Sequence, residues 1–181
     1  MARVPQLEPA QLSPAQKLIH DRIAGARDGT VAGPFAIWLQ VPRLADRADQ
    51  LGNALRIEGR IEKRLFELIV LITARHWSSQ YEWFAHEQAA LKAGLSPEIV
   101  QALRERHTPD FAREDERLIF ELVTELYETR TLSQPTYERA LGSLGLEILI
   151  EAVTAAGFYT MAALMINAFD APVPGGRRPL P

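Results

Sequence analysis

The chain has 181 residues and a mass of 20.3 kDa, with 47% hydrophobic and 24% charged residues, the size and balance of one globular domain. Its 20 Lys and Arg against 23 Asp and Glu give a net charge of -3, which is no electrostatic footprint for nucleic acid. The cysteine count is 0, which excludes disulfides, zinc–thiolate sites, iron–sulfur clusters and thiol redox chemistry.

The opening Met1-Ala2-Arg3-Val4-Pro5-Gln6 has one basic residue and no apolar run behind it. No targeting segment is therefore expected, and the cytoplasm is the expected compartment. The chain then reads as helix almost throughout. Ser13 is placed to cap a helix from Pro14 to Ala26, with Pro at the first helical position. Gly25, Gly29 and Gly33-Pro34 end it. Phe35 to Val41 reads as a short apolar loop or turn. Pro42 opens a second helix to about Arg56, and Gly59 separates it from a third, Ile61 to His76. Trp77-Ser78 breaks the chain before a fourth, Ser79 to Ala93, closed by Gly94. Ser96 caps a short fifth starting at Pro97, and Thr108-Pro109-Asp110 is a linker. Phe111 to Arg130 carries Leu118, Ile119, Leu122, Val123 and Leu126 at helical spacing. Ser133 caps another short piece to about Gly142, and a last helix runs from Leu144 to Phe169. Neither a strand pair nor a repeat is recognisable. The expected architecture is one all-α domain over residues 1–170, followed by a loose Pro/Gly-rich tail, 171–181.

The last helix is apolar on several faces, and Ala152 to Phe169 carries no charge. Its many alanines, with Thr154, Thr160, Asn167 and Gly157, fit a buried core or interface helix better than a membrane span. A helix apolar all round is hard to cover within so small a subunit, so a homo-oligomer is expected.

Two places stand out chemically. Glu67 lies in the run Leu65-Phe66-Glu67-Leu68-Ile69-Val70-Leu71-Ile72, where a carboxylate is costly to bury unless paired or protonated. Desolvation would raise its pKa and suit it to general acid–base work; an exposed stripe pairing it with Lys63 or Arg64 is the plainer alternative. In Ser79-Gln80-Tyr81-Glu82-Trp83-Phe84-Ala85-His86, residues 79, 82 and 86 share a helix face, so Glu82 can hydrogen-bond His86 and set its tautomer. A surface ion pair is the alternative, against which stand three aromatic residues in four positions. Glu82 and His86 with His76 or Glu67 would make a metal set, but the pattern is weak and no metal is expected. Arg75, His76 and Trp77 precede the motif, at the expected mouth of a cleft; Arg75 could hold a substrate carboxylate there, although such an Arg is more often solvated. Trp38 and Gln40 could form a pocket wall or equally pack in the core. His20 and His107 read as surface residues, and Glu147 and Glu151 are expected to meet arginines or solvent. Phosphate loops and nucleophile elbows are missing.

The string Tyr81-Glu82-Trp83-x-x-His86, followed by Ala89-Ala90 and Gly94-Leu95-Ser96-x-Glu98, resembles the carboxymuconolactone decarboxylase family, which includes the alkylhydroperoxidase D-like proteins. Glu67 and the upstream Gly33-Pro34-Phe35 fit as well. The resemblance implies an all-α helical bundle of the alkylhydroperoxidase D-like type, assembled as a trimer or hexamer. The redox branch of the family uses Cys-x-x-Cys-x-x-x-His; here the cysteine positions hold Ser79 and Glu82, while His86 remains. Hydroperoxide reduction through a cysteine pair is thereby excluded, and an acid–base set of Glu67, Glu82 and His86 is what the decarboxylase branch would need.

In γ-carboxymuconolactone, loss of CO2 pushes electrons through an alkene onto the lactone carbonyl, and a ring carbon then takes a proton. The substrate supplies its own electron sink, so no cofactor is expected. His86, held by Glu82, is the expected proton donor, with Glu67 as second acid or orienting group. Arg75 would hold a carboxylate, and Tyr81, Trp83, Trp38 and Ser79 complete the expected substrate-binding set. The partner expected is a small carboxylate or lactone, with neither nucleic acid nor membrane. Isomerisation or hydrolysis in the same pocket, and an inactive homo-oligomeric binding protein, are the alternatives.

Overall fold

The computed structural model describes residues 3–5, 7–27 and 29–181; Met1, Ala2 and Gln6, on which part of the leader reading rests, and Asp28 lie outside the described residues. The described helices are α1 (Pro14–Gly25), α2 (Pro34–Trp38), α3 (Pro42–Asn53), α4 (Lys63–His76), α5 (Gln80–Lys92), α6 (Pro97–Arg104), α7 (Glu114–Thr129) and α8 (Gln134–Ala168). A π-helical turn, Ala54–Glu58, carries α3 on to Gly59. No strand occurs among the described residues.

Local chemistry sets most of the ends. Ser13 accepts from the Gln16 amide while the Gln16 side chain accepts from the Ser13 amide, a reciprocal cap for α1. Ser96 caps α6 and Ser133 caps α8 in the same position, each followed by a proline in the first turn. Gly145 leaves helical geometry (φ 79°) and divides α8, close to the break expected after Gly142.

Of the loop or turn expected over Phe35 to Val41, a turn forms: Pro34 starts a helical turn that buries Ile37 and Trp38. The turn depends on Gly33, which is left-handed (φ 59°) and sits where a Cβ would come within 2.4 Å of the Tyr81 ring. Gly33→Ala is expected to cost more than ~1 kcal/mol, read as a lower urea midpoint at unchanged slope. The loose tail expected from the sequence is corrected. Gln80 clasps the backbone of Leu180 from both sides, its Nε2 donating to the carbonyl and its Oε1 accepting from the amide, each at 3.0 Å. Leu180 is buried, and the Arg177 guanidinium lies over the Phe84 ring.

The helix buried all round is α4. Every residue from Arg64 to Ala74 is buried, because α5, α7 and α8 pack around it. By contrast α8 is two-sided. Ala152, Ala155, Ala156, Tyr159, Ala162 and Ala163 face inward, where small side chains let α8 approach α4 closely. Leu146, Ile150, Val153, Met161 and Leu164 form an exposed apolar stripe on the other side. By length and composition α8 could also cross a membrane, and 44% of its most apolar stretch is buried within the fold.

Candidate active site

The central position of α4 makes Glu67 a buried carboxylate, and its partner comes from α5. His86 Nδ1 lies 2.7 Å from Glu67 Oε2, and His86 Nε2 lies 3.7 Å from Glu82 Oε1. Lys63, one turn before Glu67, holds the other oxygen of that carboxylate at 2.9 Å. Glu67, Glu82 and His86 thus share one wall of a half-enclosed cavity of about 350 Å³, within the range of small-molecule sites. Tyr159 stands on α8 with its ring perpendicular to the imidazole, 5.1 Å between centroids. Tyr81 and Phe158 add apolar lining, and Arg27 and Arg56 add positive charge.

The two carboxylates exchange the properties anticipated for them. Burial pushes Glu67 up, but hydrogen bonds and charge from His86 and Lys63 outweigh it, and its pKa falls below the ordinary value. Glu82 is buried with no hydrogen-bond partner for Oε2, and burial pushes its pKa up to about 7. Glu67 is therefore ionised at neutrality and accepts the Nδ1 proton of His86. That tautomer leaves the Nε2 lone pair facing Glu82. The orienting carboxylate is thus Glu67, not Glu82, because the contact across two helices is shorter than the one along α5. A separation of 3.7 Å is within ion-pair range but longer than a hydrogen bond.

Among the expected binding residues, Tyr81 lines the cavity. The others lie elsewhere. Arg75 is eight residues beyond Glu67, ~12 Å along the helix axis; its Nε donates to the Arg104 carbonyl, and it borders a second cavity. Trp83 follows Glu82 by one residue, ~100° around α5, and is fully buried with the Arg104 guanidinium over its ring. Trp38 is buried behind the wall, against Phe35 and Phe158. Ser79 is buried at the start of α5 with no partner for its hydroxyl. Gln40 donates to the Pro5 carbonyl. His76 stacks on Tyr127, and no group of three or more His, Asp or Glu is arranged to hold a metal ion among the described residues. Arg64 pairs with Glu62, Asp115 and Glu116 rather than Glu67. Glu147 pairs with Arg60, and Glu151 accepts from the Arg60 and Ile61 amides.

Sequence reasoning missed Arg27, Arg56 and Tyr159. Arg27 is held by Asp49 at 2.9 Å and lies over the Phe35 ring, with Nη2 buried and unpartnered. No local pattern marks a lone arginine after a helix as a site residue. Tyr159 left a faint sign, as the one phenol in the alanine-rich stretch of α8.

The fold is an all-α one shared with solved alkylhydroperoxidase D-like structures, and its cavity holds a carboxylate–imidazole–carboxylate set. Residues 42–124, from α3 into α7, match the model of the carboxymuconolactone decarboxylase family; this stretch contains Glu67, Glu82 and His86 and no cysteine. Two solved structures share the fold. One, from Ralstonia eutropha JMP134, is described as an alkylhydroperoxidase AhpD core and uncharacterized peroxidase-related protein. It is 17% identical, with a TM-score of 0.79 over 96% of this chain and 93% of that one. The other, an uncharacterized peroxidase-related protein from Silicibacter sp. TM1040, is 17% identical, with a TM-score of 0.74 over 94% and 90%. No curated protein matches the chain in sequence.

Proposed function

We propose that the protein is a cofactor-free acid–base lyase that decarboxylates a small carboxylated lactone or a related ring acid. The observation that carries this reading is the Glu67–His86–Glu82 set in one cavity, with one carboxylate ionised and the other protonated near neutrality. Arg27, Arg56 and Lys63 outnumber the single ionised carboxylate there, so the cavity's field favours an anionic substrate. The substrate carboxylate is held by Arg27 and Arg56. Its bond to the ring carbon breaks, and the electron pair moves through the conjugated alkene onto the lactone carbonyl oxygen as CO2 leaves. Glu82 supplies the proton to the resulting dienolate, and His86 returns one to Glu82 from solvent. Glu67 fixes the imidazole and stabilises it when it carries charge. One proton is consumed for each CO2 released.

The solved relatives are called peroxidase-related. A thiol peroxidase reading finds no thiol here, and Ser79, at one of the two cysteine positions, is buried away from the cavity lining. The experiment is CO2 release from a panel of carboxylated muconolactones. The full-length chain is expected to turn over at least one, and His86→Ala to lower kcat about 10²–10⁴-fold. Release from none, or equal turnover by the folded variant, overturns the proposal.

The same reading includes a homo-oligomer in the cytoplasm, a trimer or hexamer as the family resemblance implies. The exposed stripe of α8, from Leu146 to Leu164, supports it. Sedimentation at micromolar concentration is expected to give a multiple of 20.3 kDa, lowered by Leu146→Glu with Leu164→Glu. A 20.3 kDa species for the unaltered chain would refute the assembly.

A further inference from the structure

The far end of α4 carries a second cavity, of about 260 Å³, bounded by the ends of α4 and α6 and by α7. Two arginines meet there. Arg75 Nη1 and Arg106 Nη2 donate to the same acceptor, Ser78 Oγ, at 3.3 and 2.9 Å. Two guanidiniums sharing one neutral hydroxyl repel each other, and a carboxylate between them would relieve that repulsion. Among the described residues no ion pair joins either arginine to an acid; Glu128, on the rim, is the acidic side chain of the lining. Among the described residues Arg75 Nη2 and Arg106 Nη1 have no protein acceptor. Ser78 (φ 49°) and Arg106 (φ 61°) both hold left-handed backbone, a strained conformation for residues other than glycine, at the point where the charges converge.

The rest of the lining is apolar. Ile72 and Leu103 are buried beneath it, and Phe120 and Tyr127 stand on α7. Burial, followed by the charge of Arg106, also holds the His76 imidazole below its ordinary pKa, consistent with a site already rich in positive charge. His107 is engaged by Glu105 at 3.4 Å.

We propose that this second cavity binds a small aromatic carboxylate, the carboxylate bridging Arg75 and Arg106 and the ring lying against Leu103 and Phe120. The site is separate from the Glu67–His86 cavity and does not depend on the reaction proposed for it. Bidentate guanidinium geometry selects a planar carboxylate, and the apolar floor selects a ring over a bare ion.

The test is a benzoate titration of the full-length protein, followed through the NMR resonances of the His76 and Tyr127 rings, which stack 4.4 Å apart at this site. The expected result is a saturable shift of both. Arg106→Gln, at an exposed position, is expected to weaken it at least tenfold, and Arg27→Gln, in the other cavity, to leave it unchanged. Arg75→Gln serves as a second variant, its fold checked by circular dichroism because Arg75 also donates to the Arg104 carbonyl. Resonances unmoved by millimolar benzoate would overturn the proposal. So would equal binding by Arg106→Gln, or acetate binding as tightly as benzoate.

Discussion

Glu82→Gln is expected to lower kcat for the CO2-releasing reaction by about 10²–10⁴-fold, with KM little changed. Glutamine keeps the shape of the side chain and its place on α5 but has no acidic proton to deliver. The same substitution has a signature in stability. Glu82 has a pKa near 7 in the folded chain against 4.5 when free. Below 4.5 both states hold the proton, and the group costs nothing. As pH rises through that value the unfolded chain ionises while the folded chain does not, so stability falls until the folded pKa is passed. The fall attributable to this one group is ~3 kcal/mol between about pH 4.5 and pH 7. Urea midpoints across that window are expected to fall for the parent chain and to stay level for Glu82→Gln. An equal fall in both chains would remove Glu82 as the protonated acid. Glu67, whose pKa is depressed, acts in the opposite sense at lower pH: the stability it contributes is present above its free value and is lost as pH falls through its folded one.

Arg64→Met is expected to cost about 3–5 kcal/mol of stability. Arg64 is buried near the start of α4, with its guanidinium against Glu116 on one side and Asp115 at 2.8 Å and Glu62 at 3.1 Å on the other. Glu116 is itself buried. Removing the cation leaves that carboxylate in the core with nothing to neutralise it. The pairing ties the first turn of α7 to the base of α4, one turn before Glu67. Replacing both partners, Arg64→Met with Glu116→Met, is expected to recover much of the loss, since neither charge then remains stranded. Chemical unfolding of the two single variants and the double variant measures this directly; additive losses would show that the pair is not coupled.

The all-α bundle was legible because helix ends here are written in local chemistry. Ser13, Ser96 and Ser133 each cap a helix with a proline in its first turn, and Gly94 closes α5 in left-handed geometry (φ 94°). Glu82 and His86 could be joined from spacing alone, since residues four apart share a helix face. The Glu67–His86 hydrogen bond spans 19 residues and two helices, so no periodicity could reveal it. It also inverted the roles of the two acids, because depth and partners set a pKa while chain position does not. Arg75 and Trp83 were misplaced for a related reason. Nearness in sequence to Glu82 and His86 suggested nearness in space, whereas a helix turns neighbouring residues to different sides. The last helix misled through composition: its alanines mark the side packed on α4, and Leu146, Met161 and Leu164 the side left exposed.

The most direct measurement is the titration of the side-chain carboxyl carbons, labelled with carbon-13 and followed by NMR in the full-length protein, with Glu82→Gln and Glu67→Gln to assign the signals. The expected result is one carboxyl, lost in Glu82→Gln, that titrates near 7, and another, lost in Glu67→Gln, that titrates below the ordinary 4.5. A Glu82 signal titrating near 4.5, with the carboxylate charged at neutrality, would contradict the acid–base assignment on which the proposed reaction depends.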